Sequence, residues 1–423
     1  MNFLYIDPGT GSMLFSILIG IVAAASFGLR AVFLKLKFLL SGGKAIEKSE
    51  NIIPYVIFSD HKRYWNIFKP ICDEFEKRKI PLVYYTASED DPALCENYEF
   101  VKSEYLGSGN KPYAKLNLLK ADILLSTTPG LDVYQWKKSR NVKKYIHIPH
   151  TVDDLSTYRM FGLDYYDAVV TSGEHQKNFI QKIEGMRNIE KKEFVCVGST
   201  YMDFMQKRMR EYIEKNPEST NANENDFSSK KSLTVLLAPS WGKSGILSKF
   251  GSELLEALDT TGFKIIIRPH PQSLVSEQNI IKPLEEKFSS GNFEWNYDND
   301  NFDCLAKADI MITDFSGVIF DFAFIFNRPI IYADTEFDTA PYDASWVEDR
   351  VWSLQAVEKI GVKLEKSQFP DIKNVILSSL ENKELKNALE ELKSIAWENQ
   401  GEAAKKTVDY MISSREKFTN ENL

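Results

Sequence analysis

From residue 51 onward, short apolar runs alternate with stretches whose apolar residues recur every three or four positions, the two periods of strands and amphipathic helices. In the first half this pattern predicts strands over 52–59, 81–86, 121–127, 144–149, 168–172 and 194–197, with helices such as 64–79 and 174–184 between them. The alternation is that of parallel α/β layers. Residues 216–232, NPESTNANENDFSSKKS, carry one aromatic residue and no periodicity, and read as a linker. The second half repeats the layering with strands over 233–238, 263–268, 293–296, 309–313 and 329–332. After residue 369 the pattern turns helical, over 372–380, 386–397 and 403–413. Two α/β domains, 51–215 and 233–423, are therefore expected to face each other across a cleft at the carboxyl ends of their strands.

The first fifty residues differ from all that follows. Residues 13–29 contain no charge and would reach roughly 26 Å as a helix, close to a ~30 Å hydrocarbon core. No Lys or Arg precedes this run, as a cleavable signal would require, whereas Arg30, Lys35, Lys37, Lys44 and Lys48 follow it. The expectation is an N-terminal membrane helix, single-pass or lying in the interface, with an amphipathic extension over 30–40. By the positive-inside rule it leaves the remaining chain cytoplasmic, against the inner membrane leaflet.

Charge and cysteine usage narrow the function classes. With 52 basic against 60 acidic residues the net charge is −8, which argues against a general nucleic-acid binder, so local basic clusters must carry any anion binding. Cys72, Cys95, Cys196 and Cys304 are widely spaced, and three lie in or beside apolar runs, so they read as thiols suited to a reducing cytosol rather than a disulfide or zinc framework. There is no GxGxxG, P-loop or HExxH sequence.

Most of the candidate chemistry falls just after an apolar run, where a doubly wound sheet presents its ligand groups. Thr313-Asp314-Phe315-Ser316-Gly317 follows one strand and opens a helix. Its hydroxyls Thr313 and Ser316, the glycine, and the unpaired N–H groups of the helix start suit phosphate. Asp314 is counted with this group as orienting hydroxyls or N–H groups, and ordinary helix capping accounts for the turn as well. Asp321 reads equally as a helix-face charge.

Arg268-Pro269-His270-Pro271 closes another strand and adds cationic donors suited to a diphosphate, with a loop-satisfied structural histidine as the plainer alternative. In the first half, His150 lies beyond Pro149 at a strand end, where a histidine could take a proton from an acceptor hydroxyl. His147 lies three residues earlier, within the strand, so His150 is preferred. Ser240 and Lys243, after the first strand of the second half, either line the cleft or cap a turn. His61 and His175 read as surface residues, and Asp298-Asn299-Asp300 reads as a polar loop rather than a metal motif.

Together IRPHPQ at 267–272, ITDFSGVIFDFAF at 312–324, the following NRPIIYAD and a strand-end histidine in the first half resemble the CDP-glycerol glycerophosphotransferase family of wall teichoic-acid primases and polymerases. The resemblance implies two Rossmann-like domains of the GT-B type. It also implies metal-independent transfer, without a cofactor, of a polyol phosphate from CDP-glycerol or a related CDP-alditol to a polyprenyl-linked or glycan acceptor. By position, His150 would be the general base, while Arg268, His270, Thr313 and Ser316 would hold the donor diphosphate. The chain departs from the family pattern at Thr151-Val152-Asp153 after the first histidine, at Gly317 in place of a second serine, and at Gly242-Lys243 in place of an arginine. A nucleotide-sugar glycosyltransferase and an inactive membrane scaffold are the rival readings.

Overall fold

The computed structural model describes residues 52–216, 233–298, 300–333 and 335–420. The expected membrane helix and nearly all of the expected linker lie outside the described residues, among which no helix is long and apolar enough to cross a membrane.

The first sheet is built from β1 (Ile53–Ser59), β2 (Leu82–Thr86), β3 (Val101–Tyr105), β4 (Ala121–Ser126), β5 (Val142–His147), β6 (Ala168–Thr171) and β7 (Glu193–Cys196). All its strands run parallel in the spatial order β3-β2-β1-β4-β5-β6-β7. The second sheet comprises β8 (Thr234–Ala238), β9 (Lys264–Ile267), β10 (Phe293–Trp295), β11 (Ile310–Thr313), β12 (Ile330–Ala333) and β13 (Gly361–Leu364), again parallel, in the order β10-β9-β8-β11-β12-β13. In each sheet the strand order reverses beside the first strand, between β1 and β4 and between β8 and β11. Ligand crevices open at such switch points.

Strands near the middle of each sheet are buried on both faces, which is why they read as unbroken apolar runs: every residue of β4, β6 and β11 is buried. The pattern misses β3 and β13, which are edge strands. In β3 buried and exposed positions mix, and β13 opens on a glycine, so neither carries a long apolar signal.

The described residues form one compact unit, and the two sheets share a core. Met202 and Met205, on the helix Thr200–Lys215 that leaves the first sheet, are fully buried in one cluster with Phe320, Phe322 and Trp397 of the second half. Ser199 caps this helix, its hydroxyl accepting from the Met202 N–H at 3.3 Å.

The last helix, Ala403–Asn420, departs from the expected division of the chain. It packs on the first sheet, placing Val408, Tyr410 and Met411 among Tyr55, Phe75 and Ile123. Arg415 pairs with Asp122 at 2.8 Å and Asp409 with Arg78 at 2.6 Å across the same face. The crossing back is held by Asp203, whose carboxylate accepts from Trp397 Nε1, the Gly401 N–H and the Ala403 N–H at 3.0, 2.7 and 3.1 Å. Gly198, at φ +94°, allows this close approach, since a Cβ there would stand 2.4 Å from the Glu398 carbonyl oxygen.

On another side the loop after β5 is tied to the segment after β12. Asp343 and Ala344 donate their N–H groups to the carbonyls of Tyr158 and Ser156 at 2.8 and 2.9 Å, and Trp352 donates to Asp154 Oδ2 at 2.9 Å. The buried guanidinium of Arg187 bridges Asp164 and Asp343. A buried ion pair with both partners satisfied fixes geometry more than it adds stability. Here it holds the loop behind His150 against the second half.

Candidate active site

A cleft of about 560 Å³ lies between the carboxyl ends of the two sheets. From the first half it takes Arg63 and Tyr64 after β1 and His150 after β5. From the second it takes Arg268 and His270 after β9, Asn296 and Asp298 after β10, and Ser316 and Asp321 around the helix Val318–Phe326. Among the expected site residues, it brings together His150, Arg268, His270 and Ser316.

Arg268 is braced by its neighbours after β10: its guanidinium donates to Asn296 Oδ1 and, at 2.8 Å, to the Asp298 carbonyl. Two nitrogens so engaged leave further donors on a planar fork suited to phosphate oxygens. His270 Nδ1 accepts the Gln272 N–H at 3.1 Å, so the neutral ring carries its proton on Nε2. Burial and the nearby charge of Arg63 depress its pKa to about 4. His270 is thus a neutral hydrogen-bond donor near pH 7.

His150 is held by aromatic neighbours. Its ring lies parallel to Tyr158, 11° apart with centroids at 5.6 Å, and tilted against Tyr64 at 5.4 Å. Its Nδ1 lies 3.2 Å from Tyr158 Oη. Burial, with Arg63 second, lowers its pKa to about 4, so it too is neutral and can accept a proton.

The Thr313–Gly317 turn is divided between scaffold and cleft. Thr313 is fully buried and donates its hydroxyl to the Ala238 carbonyl at 2.7 Å, which takes it out of the expected phosphate site. Asp314 is buried and accepts the N–H groups of Ser240, Ile246 and Phe315 at 3.0, 2.8 and 2.7 Å, tying the turn to the loop after β8. Ser240 therefore belongs to that tie, and Lys243 is exposed; neither lines the cleft. Ser316 does line it, beside the N-terminal end of a nine-residue helix. Gly317 lies against the first half: a Cβ there would meet Thr151 Oγ1 at 3.5 Å and Asp153 Oδ2 at 3.8 Å. Two departures from the family pattern, Gly317 and Thr151-Val152-Asp153, thus meet in space.

Several site residues escape the sequence reading. His61, Lys62, Arg63 and Tyr64 follow β1 directly, so the rule that finds His150 and Arg268 also applies to them. His61 was expected at the surface; it is exposed, but it lines the cleft, and its Nδ1 accepts the Arg63 N–H at 3.2 Å. Asp321 stands in the cleft, accepts the Tyr201 hydroxyl at 3.0 Å, and is pushed up to about 7 by desolvation. His175, also expected at the surface, is buried: it donates from Nε2 to the Val152 carbonyl at 2.8 Å and packs on Trp352 at 4.2 Å. Asp298 and Asp300 are engaged with protein partners, Asp300 pairing with Arg208 at 2.7 Å and Asp298 accepting from Asn296 at 2.7 Å.

The structure is similar to solved structures of the wall teichoic acid polymerase TagF. One has a TM-score of 0.57 at 15% identity, covering 92% of this chain and 98% of that one; another, soaked with CDPG, has 0.54 at 15%, covering 95% and 99%. It is also similar to the UDP-GlcNAc 2-epimerase of Neisseria meningitidis bound to UDP-GlcNAc, at 0.54 and 14% identity, covering 85% and 100%. At such identities the likeness is one of fold. In sequence, 157 residues are 31% identical to the teichoic acid poly(glycerol phosphate) polymerase of Bacillus spizizenii, spanning 35% of this chain and 37% of that protein's length. Residues 110–348, more than half of the chain and inclusive of His150, Arg268, His270 and Ser316, match the family model described as CDP-glycerol:poly(glycerophosphate) glycerophosphotransferase. The chain belongs to this family of transferases.

Proposed function

We propose that this protein transfers glycerol phosphate, or a related polyol phosphate, from a CDP-linked alditol to a hydroxyl of a polyprenyl-linked or glycan acceptor in the synthesis of a cell-surface polymer. The observation that carries the reading is the pairing of two neutral histidines, His150 and His270, on opposite walls of one cleft that also holds Arg268 and Ser316. The acceptor oxygen attacks the β-phosphorus, its proton passes to His150, and the bond from that phosphorus to the bridging oxygen breaks, releasing CMP. Arg268, His270, Ser316 and the start of the helix Val318–Phe326 hold the diphosphate oxygens and offset the charge that develops on them. In this reading fixed protein donors do the work a metal ion does elsewhere, and a chelator is expected to leave the rate unchanged. Residues 13–29, acting as a membrane anchor, would keep the cleft on the cytoplasmic side beside lipid-linked acceptors.

The test is to incubate the detergent-solubilised full chain with CDP-glycerol, CDP-ribitol and a panel of nucleotide sugars. CMP release with phosphorus gained by the acceptor is the expected result. Release of a nucleoside diphosphate from a sugar donor would establish a glycosyltransferase, and binding of no nucleotide by a folded protein would point to a scaffold.

A further inference from the structure

Behind His150 stands a three-group chain that the transfer reaction as outlined leaves unused. Tyr158 Oη is 3.2 Å from His150 Nδ1 and 3.1 Å from Nε2 of His147, the last residue of β5. His147 is fully buried, packed edge-on against Tyr158 at 5.5 Å and against Tyr166 at 4.9 Å, and its Nδ1 has no hydrogen-bond partner among the described residues. Tyr158 is itself fixed: it is buried, its N–H donates to the Leu155 carbonyl at 3.0 Å, and its carbonyl accepts the Asp343 N–H at 2.8 Å.

A phenol has one proton to give, and two imidazole nitrogens meet this one. For the phenol proton to be placed as well, one ring nitrogen donates to the oxygen and the other accepts its proton. In the first arrangement, His150 donates Nδ1–H to Tyr158 and Tyr158 donates to His147 Nε2, so both rings carry their proton on Nδ1. In the second, His147 donates Nε2–H to Tyr158 and Tyr158 donates to His150 Nδ1, so both rings carry it on Nε2. Only the first leaves a lone pair on His150 Nε2 to receive the proton of a hydroxyl. Removal from water keeps both rings neutral and the phenol protonated, so neither arrangement is short-circuited by ionisation.

We propose that Tyr158 is the positioning residue of the reaction, coupling the tautomer of His150 to that of buried His147 so that the two rings switch together. His147 Nδ1 is unpartnered in either arrangement, as an N–H in one and a lone pair in the other, so the buried end of the chain imposes little preference. The group that arrives at His150 Nε2 decides instead. An acceptor hydroxyl, which needs a lone pair for its proton, selects the arrangement in which His150 is a base. The reacting ring is thereby set by its substrate, and the unsatisfied polar atom stays away from the chemistry. This inference rests on His150 serving as the base in the reading above.

Two substitutions separate this role from a merely structural one. Tyr158→Phe keeps the stacked ring and removes only the oxygen, freeing His150 from His147; kcat is expected to fall about 10- to 100-fold with the donor KM little changed, because base competence is a part of general-base catalysis. His147→Phe removes the group to which Tyr158 donates, so the phenol turns its proton to His150 Nδ1 and holds the ring in the incompetent tautomer. Turnover is then expected to fall further than in Tyr158→Phe, and the double variant should recover to the level of Tyr158→Phe alone. In parallel, nitrogen-15 NMR of the histidine rings of the full chain should show His147 and His150 in the same tautomer, and Tyr158→Phe should uncouple them. That readout needs no turnover, so it stands even if the donor chemistry proves different. Opposite tautomers in the wild type would overturn the proposal. So would an additive double variant built from folded single variants, or an unchanged kcat in Tyr158→Phe.

Discussion

The carboxylate of Asp314 accepts the backbone N–H of Ser240 on both of its oxygens, at 3.0 Å each, across the switch point between β8 and β11. With the N–H groups of Ile246 and Phe315 bound as well, one buried acid organises the loop after β8, the start of the helix Ile246–Asp259 and the turn that carries Ser316. Asp314→Ala leaves three N–H groups without this acceptor, two of them buried, and is expected to destabilise the fold by about 3 kcal/mol. Ser316→Ala should leave the unfolding midpoint in place and lower turnover. Denaturant melts of the two variants, beside their rates, check the division of this turn into scaffold and ligand.

Arg63 is exposed, lines the cleft from the first half, and acts electrostatically on both His150 and His270. Its charge lowers the pKa of both rings and faces the same cleft as Arg268. Arg63→Ala is expected to weaken donor binding about 10-fold, as loss of one exposed charge-assisted contact does, and to move the acid limb of the kcat/KM profile to higher pH. Arg63→Lys should restore the position of that limb. A pH–rate series on the three proteins measures both effects.

Stability should respond to pH through two opposed sets of groups. His150 and His270 titrate near 4 in the fold and near 6.5 when unfolded, so from about pH 6.5 down to about 4 the unfolded chain binds protons that the fold does not. Their contribution is lost as pH falls through that window. Asp153 and Asp321 are raised to about 7, so from about pH 4 up to about 7 the fold binds the extra protons and their contribution is lost as pH rises. Asp321→Asn removes one of these carboxyls while keeping an acceptor for Tyr201. Relative to wild type, its melting temperature should rise by about 2 to 4 °C between pH 5 and pH 8. Parallel curves for the two proteins would show that Asp321 is not held neutral.

The sequence makes legible what burial writes into it. Strands such as β4 and β11, buried on both faces, announce themselves as apolar runs, and polar residues directly after them mark the cleft, as with His150, Arg268 and His270. β3, in which buried and exposed positions mix, and β13, which opens on a glycine, lack that signal. Thr313 and Ser316 look alike in sequence, yet one hydroxyl points into the sheet toward Ala238 and the other residue lines the cleft; strand alternation and the helix start separate them only in three dimensions. The return of the helix Ala403–Asn420 to the first sheet depends on Asp203 and Gly198, contacts roughly two hundred positions away that no local pattern carries. Arg63 was within reach of the rule that found the histidines, since it too follows a strand.

The central claim is that His150 and His270 act from opposite walls on one CDP-linked donor. Its most direct test is CMP release from CDP-glycerol, with an acceptor present, by the wild type, His150→Ala and His270→Ala, each shown to be folded by its thermal melt. Each variant is expected to lose about 10²- to 10³-fold in turnover, His150→Ala while still binding the donor and His270→Ala with weakened donor binding as well. Full activity in both folded variants would contradict the account.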